Sequence, residues 1–97
     1  MLPALPRVTI GIPLYKGEKH ISQAIATVRA DEFSDWEILV LDDCSPDSSA
    51  KIVTQISDRR IRLISSPTNA GLVNARNRIL DEARGEFLAW LDQDDLN

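Results

Sequence analysis

The sequence predicts an α/β fold with a parallel sheet of about four strands and helices on both faces. Three short apolar runs, at 8–12, 37–41 and 87–91, are separated by segments long enough to hold a helix, which is typical of buried parallel strands. Each run ends in a polar or proline-containing cluster. Because ligands bind beyond the carboxyl ends of the strands in open parallel sheets, we expect the three clusters to meet at one crevice.

The strands are predicted to alternate with three helices in the order β-α-β-α-β-α-β, with right-handed crossovers. The first strand is expected to close at Pro13, because proline cannot donate to a strand ladder. The other strands are predicted at 36–41, 61–64 and 87–91.

The first two helices are predicted from apolar spacing and from a start signal. Apolar residues recur at helical spacing after the first strand, at Ile21, Ala24, Ile25 and Val28. The second helix is expected to begin with Ser45 as its cap, Pro46 in its first turn and Asp47 near the positive end of its dipole. Its inner face is predicted to contain Ile52, Val53 and Ile56.

The third helix follows a turn-rich loop that ends in Gly71. Asn69 in this loop is expected to cap the helix or a neighbouring loop. Gly85 lies where a left-handed residue commonly ends a helix. One apolar stripe is predicted, made of Leu72, Ala75, Ile79, Leu80 and Ala83.

Composition excludes several classes of function. The 97 residues are 43% hydrophobic and carry a net charge of −4, which indicates a soluble globular chain and disfavours nucleic acid as a partner. The single cysteine, Cys44, excludes an internal disulfide. The sequence shows no signal peptide and no apolar segment of the roughly 18 residues that span a bilayer. We expect a cytoplasmic location, at the inner face of a membrane if another part of a longer protein provides an anchor.

The acidic cluster after the last strand is a candidate metal site. Residues two apart in an extended segment face the same side, so Asp92 and Asp94 can present two carboxylates together. Such hard oxygen ligands suit Mg²⁺ or Mn²⁺, which also bind substrate phosphates. An acidic surface turn is the alternative, and the spacing alone does not decide between them.

The other two strand ends offer groups that suit a nucleotide. Tyr15 could stack on a base, and one carboxylate of the pair Asp42 and Asp43 could accept hydrogen bonds from a base or a ribose. A packed tyrosine and a double-Asp turn are the structural alternatives. Arg76 interrupts the apolar stripe of the third helix; an inward arginine needs a carboxylate, so we expect it to hold the acidic loops in place.

Five segments, in order, resemble the inverting glycosyltransferases of family 2, which have the GT-A fold. The resemblance covers almost the whole chain and is carried by residues 8–15, 37–45, 69–72, 75–77 and 85–95. It implies a Rossmann-like GT-A domain that transfers a sugar from a nucleotide-sugar, with a UDP-sugar as the expected donor. It further implies Mn²⁺ or Mg²⁺ as cofactor, and an acceptor glycan or lipid-linked glycan in cell-envelope polysaccharide biosynthesis.

The resemblance also implies roles for individual residues. Pro13, Leu14 and Tyr15 would border the base, and Asp43 would read it. Asp94 would be the main metal ligand, with Asp92 assisting. The full donor-binding set is expected to be Pro13, Leu14, Tyr15, Asp43, Arg76, Asp92 and Gln93.

An inverting transfer also needs a general base for the acceptor hydroxyl. In this family that carboxylate and the acceptor pocket lie in the second half of the domain. Residues 1–97 are therefore predicted to be the donor-binding N-terminal part of a truncated GT-A domain, with the acceptor half absent and no activity by itself. A half sheet leaves an exposed edge, so self-association of the fragment is also expected.

Two other functions remain open at this point. One is a nucleotide-binding module without transferase activity. The other is a different α/β enzyme, such as a nucleotidyltransferase or an aspartate phosphatase. A phosphatase is disfavoured, because the first strand ends in Pro13, Leu14 and Tyr15 instead of a nucleophilic aspartate.

Overall fold

The computed structural model describes residues 5–91, and within them the predicted order of strands and helices is confirmed. The elements are β1 (Val8–Leu14), α1 (Ile21–Arg29), β2 (Trp36–Asp42), α2 (Ser49–Thr54), β3 (Ile61–Ser65), α3 (Leu72–Glu82) and β4 (Phe87–Trp90). All three strand pairs are parallel, and the strands lie in the order β3-β2-β1-β4.

Helices cover both faces of the sheet, as the sequence predicts. Along β2, Ile38 and Val40 pack in the cluster that includes α1 and α2, whereas Leu39 and Leu41 pack against α3. Successive strand side chains point to opposite faces, so β2 serves both layers and every one of its residues is buried. None of the helices within 5–91 is long and apolar enough to cross a bilayer.

The strand order creates a switch point at β1. Its chain neighbour β2 lies on one side, and β4 pairs on the other side. The carboxyl ends of β1 and β2 are level, since Leu14 pairs with Asp42. The N–H of Leu91 donates to the carbonyl of Gly11 at 3.0 Å, so the described chain ends beside β1 at this same edge. Such switch points are where ligands bind in open α/β sheets.

The sequence predicts that the first strand closes at Pro13, but in the structure the strand continues to Leu14. The pairing of β1 with β4 ends at Gly11 and Trp90. Strand residues two apart direct their backbone groups to the same side, so the position of the missing N–H of Pro13 faces β4, as Gly11 does, and not β2. The pairing of β1 with β2 therefore continues through Pro13 to Leu14.

The second helix begins at Ser49 and not near Ser45. The hydroxyl of Ser45 accepts a hydrogen bond from the N–H of Lys16 at 3.1 Å, so it connects the loop after β1 and caps no helix. The carboxylate of Asp47 accepts from the N–H of Ser49 at 3.0 Å. Ser45 therefore bonds to a partner distant in sequence, and Asp47 is the residue whose side chain bonds to the first residue of the helix.

The third helix buries a narrower stripe than predicted. Ala75 and Ile79 are buried, but Leu72 and Leu80 are 53% and 55% exposed. Gly85 does not adopt the predicted left-handed conformation; within 5–91 the glycine at positive φ is Gly71, at 92°.

Gly85 is instead required by a close approach of two backbones. A Cβ added there would lie 2.7 Å from the Thr9 hydroxyl oxygen and 2.7 Å from the carbonyl carbon of Val8. The N–H of Gly85 donates to that hydroxyl at 2.8 Å. The chain between α3 and β4 is thus pressed against the start of β1.

Gly85→Ala is expected to lower the free energy of unfolding by about 1–3 kcal/mol, because β1 or the loop must shift to admit the methyl group. Urea denaturation measures the change. Gly71→Ala is the control: its added Cβ would meet nothing within 4 Å, so its cost comes only from the positive φ. Equal free energies of unfolding for Gly85→Ala and the wild type would contradict the close approach of the two backbones.

A buried polar network ties three strands together at the amino ends of β1 and β2. The carboxylate of Glu37 accepts from the Thr9 hydroxyl at 2.6 Å, from Arg62 Nε at 2.9 Å and from the N–H of Arg84 at 2.7 Å. Arg62 also donates to the carbonyl of Glu82, the last residue of α3, at 2.6 Å. The network therefore joins β1, β2 and β3 to the end of α3, far from the carboxyl edge.

Candidate functional site

A cleft of about 260 Å³ opens at the carboxyl ends of β1 and β2, beside the start of α3. The lining residues come from the end of β1, the end of β2 and the first turn of α3 with its preceding loop: Pro13, Leu14, Tyr15, Asp43, Asn69, Gly71, Leu72 and Ala75. The structure thus brings together four residues of the predicted donor-binding set, which are Pro13, Leu14, Tyr15 and Asp43.

Asp43 is the buried charge of this cleft, with 6% of its surface exposed. Its two carboxylate oxygens accept from the N–H groups of Ala70 and Gly71, both at 2.9 Å. Its own N–H donates to the carbonyl of Leu14 at 2.9 Å. The sequence does not decide which aspartate of the pair faces the crevice; Asp43 lines the cleft and also holds the loop before α3.

The neighbouring Asp42 has a different environment. It is 5% exposed, and its Oδ1 has no hydrogen-bond partner among the described residues. It does not line the cleft. By the alternation along β2, its side chain belongs to the face covered by α1 and α2.

Tyr15 lies at the rim of the cleft with 36% of its surface exposed. The ammonium of Lys16 is 5.4 Å from the centroid of its ring. A partly exposed ring at a cleft mouth can stack on a nucleobase, and every base has a face for such stacking.

The loop before α3 contributes more to the cleft than the sequence indicates. Leu72 and Ala75 line it, although their spacing assigns them only to a buried stripe. Asn69 does not cap the helix; its side-chain oxygen accepts from the N–H of Gly71 at 3.2 Å. The signal that could have found these residues is Gly71, which places the first turn of α3 next to a strand end.

The prediction that Arg76 points inward is wrong, and its predicted hold on the acidic loop after β4 lies outside the described residues. Arg76 is exposed, and its guanidinium lies 5.5 Å from the centroid of the Trp90 ring. An arginine on the flank of a helix can pack over an aromatic face and keep its charge in water. The charge of Asp43 is met by backbone amides instead, and Arg76 does not line the cleft.

Asp92, Gln93 and Asp94 lie outside the described residues, so the predicted metal ligands stay a prediction. Within 5–91, no group of three or more His, Cys, Asp or Glu side chains is arranged to hold a metal ion. The described chain ends at Leu91, bonded to Gly11 at the carboxyl edge.

The chain is similar to a family of known proteins and to individual members of it. The model of a family described as "Glycosyl transferase family 2" matches residues 9–97. The chain is 40% identical over 89 residues to WfgD of Escherichia coli, a UDP-Glc:alpha-D-GlcNAc-diphosphoundecaprenol beta-1,3-glucosyltransferase. This match spans 92% of the chain but 35% of WfgD, so the chain corresponds to about a third of that relative.

Solved structures show the same fold. TarS of S. aureus (residues 1–349), solved in complex with UDP, superposes on 91% of this chain and 27% of its own, with a TM-score of 0.85 and 29% identity. The mannosyltransferase PcManGT of Pyrobaculum calidifontis, in complex with GDP-Man and Mn²⁺, matches 94% of this chain and 28% of its own, with a TM-score of 0.85 and 25% identity. The four-stranded parallel sheet is therefore the Rossmann-like GT-A fold, and the chain belongs to glycosyl transferase family 2.

Proposed function

We propose that this chain supplies the donor-binding half of a metal-dependent transferase that moves a sugar from a UDP-sugar to an acceptor hydroxyl. The observation that carries the proposal is the cleft that joins Pro13, Leu14 and Tyr15 to Asp43 at the switch point of the sheet. The family assignment supports glycosyl transfer as the reaction.

The walls of the cleft suit a nucleoside. Tyr15 offers a ring for stacking, and Pro13 and Leu14 offer an apolar edge. Each carboxylate oxygen of Asp43 accepts one loop N–H and can accept a second hydrogen bond. That remaining capacity suits the N–H of a uracil, and TarS, a structural neighbour, has been solved with UDP.

The donor diphosphate and the metal are assigned to the residues after β4. Asp92 and Asp94 provide hard oxygen ligands for Mn²⁺ or Mg²⁺, and PcManGT contains Mn²⁺. When bound, the cation neutralises charge on the departing nucleoside diphosphate. Gln93 and Arg76 complete the proposed donor set, with Arg76 placed beside Trp90 near the end of β4.

The acceptor and the general base are proposed to lie outside residues 1–97. The chain covers 35% of WfgD, whose name describes a lipid diphosphate acceptor. We propose a glycan or lipid-linked glycan acceptor of the cell envelope, and a location in the cytoplasm at the inner face of the membrane. The 97-residue chain alone is then expected to bind donor without transferring sugar.

Titration of the chain with UDP by calorimetry, with and without Mn²⁺, tests the site. We expect binding that strengthens with Mn²⁺, and Asp94→Ala is expected to weaken it by at least about tenfold, or about 1.4 kcal/mol. Asp81→Ala is the matched control, because Asp81 is an exposed carboxylate near the far end of α3.

A UDP affinity that changes neither with Mn²⁺ nor with Asp94→Ala would overturn the metal assignment. An assay of sugar transfer by the longer parent protein separates a transferase from a nucleotide-binding module. UDP binding without donor turnover by the parent, in the presence of acceptor, would favour the module.

A further inference from the structure

We infer that Asp43 is a positioning residue for the cleft, because its carboxylate holds the loop before α3 in the shape that forms one wall. The identity of the ligand rests on the proposed function, but the contacts of the loop do not. The two loop N–H groups, of Ala70 and Gly71, are 27 and 28 positions from Asp43 in the sequence. The contact is therefore tertiary and does not arise from local turn formation.

Asp43 joins all three walls of the cleft. Its N–H bonds to Leu14 at the end of β1, it follows directly on β2, and its carboxylate holds the loop that leads into α3. Leu72 and Ala75, in the first turn of α3, line the cleft immediately after this loop. Releasing the carboxylate would let this third wall move relative to the other two.

The chemistry of the contact favours a rigid loop. A buried carboxylate is costly unless hydrogen-bonded, and Asp43 is 6% exposed. Two successive backbone N–H groups that converge on one anion form a concave anion site, and hydrogen bonds to a charged acceptor are stronger than neutral ones. Gly71 reaches this arrangement at a φ of 92°, which glycine adopts without steric cost.

A second cleft, of about 190 Å³, adjoins the first. Asp43 and Ala75 line both clefts, and Ala70 and Arg78 are among the residues that line the second. Asp43 therefore also forms part of the partition between the two spaces. A shorter side chain at this position would remove both the hold on the loop and a part of this partition.

Nuclear magnetic resonance of the nucleotide-free chain tests the hold directly. In the wild type, we expect through-hydrogen-bond couplings from the amide nitrogens of Ala70 and Gly71 to the carboxylate carbon of Asp43. In Asp43→Asn, one acceptor oxygen becomes an NH₂ group, so both amides are expected to shift and to exchange with solvent about tenfold faster or more. Asp81→Asn is the control that changes an exposed carboxylate elsewhere.

UDP titration then separates positioning from direct contact. Gly71→Ala strains the loop but leaves the carboxylate of Asp43 intact. If Asp43 acts through the loop, Gly71→Ala weakens UDP binding as Asp43→Asn does, and the double variant weakens it by less than the product of the two single effects.

Wild-type protein without the couplings would overturn the inference. Unchanged loop amides in Asp43→Asn, together with normal UDP affinity of Gly71→Ala, would also overturn it and leave Asp43 as a direct contact only. If Asp43→Asn does not fold, the inference is still tested by the couplings in the wild type and by the UDP affinity of Gly71→Ala. If wild-type protein does not bind UDP, the proposed function fails while the amide measurements still test the hold on the loop.

Discussion

Glu37→Ala is expected to lower the free energy of unfolding by about 3–5 kcal/mol, the range for removing one partner of a buried ion pair. Glu37 is 5% exposed. Its loss leaves the Arg62 guanidinium, the Thr9 hydroxyl and the N–H of Arg84 without their acceptor. The hydrogen-bond network that joins three strands to the end of α3 would be broken. The expected loss is a large part of the free energy of unfolding of a small domain.

Urea denaturation at pH 7 measures this effect, and the chain supplies a matched control. Glu82→Ala removes an exposed ion pair between Glu82 and Arg78, which lies one helical turn earlier. The Nε of Arg78 and the Oε1 of Glu82 are 3.6 Å apart. Such pairs contribute about 0–1 kcal/mol. A loss in Glu37→Ala no larger than in Glu82→Ala would contradict the structural role of the network.

The same residue makes stability depend on pH. Burial acts to raise the pKa of Glu37, but hydrogen bonds from Arg62, Thr9 and the N–H of Arg84 outweigh it and hold the pKa below the ordinary value of 4.5. A lowered pKa means that the contribution is present above 4.5 and is lost as the pH falls further. The pKa values of Asp47 and Asp58 are also lowered, by hydrogen bonds from Ser49 and Arg60 respectively.

We therefore expect the difference in stability between the wild type and Glu37→Gln to shrink as the pH is lowered from 7 to 3. The other two carboxylates remain in both proteins, so their contribution cancels in the difference. Denaturation curves at several pH values provide the measurement. A difference that stays constant over this range would show that the carboxylate charge of Glu37 does not matter.

Ile79→Ala is expected to cost about 2–5 kcal/mol, because it opens a cavity between α3 and the sheet. Ile79 has no exposed surface and packs with Leu39 and Leu41. It also lies over Gly11, where an added Cβ would approach its methyl group to 2.8 Å.

The adjacent Leu80 is the control for this substitution. It is 55% exposed, so Leu80→Ala is expected to change the free energy of unfolding by only about 0.5 kcal/mol. Urea denaturation of both variants gives the comparison. Similar losses in the two variants would mean that α3 does not present the face to the sheet that the structure describes.

The buried strands were predictable because their burial leaves little choice of residue. All seven residues of β2 are buried between two helical layers, and the apolar run from Trp36 predicts its bounds to within one residue. The stripe of α1 was equally clear, since Ile21, Ala24 and Ile25 are the buried positions of that helix. For α3 the same reasoning assigned Leu72 to the core, because spacing does not reveal where a helix extends past the edge of a sheet.

Which polar groups meet could be predicted only in part. The strand ends indicated that Tyr15 and Asp43 share one edge, and the structure places both in one cleft. The sequence did not indicate that Ser45 would bind the N–H of Lys16, 29 positions away. Nor did it indicate that Arg76 would lie over Trp90 while backbone amides satisfy Asp43.

By itself, the sequence determined the order of the elements, the parallel sheet and the kind of residue at each strand end, because apolar periodicity and strand polarity are local properties of the chain. Only the tertiary structure decided which loop Asp43 holds, where Arg76 lies and why Gly85 must lack a side chain. Those outcomes depend on hydrogen bonds and close approaches between residues far apart in sequence, and the geometry that brings them together exists only once the sheet has formed.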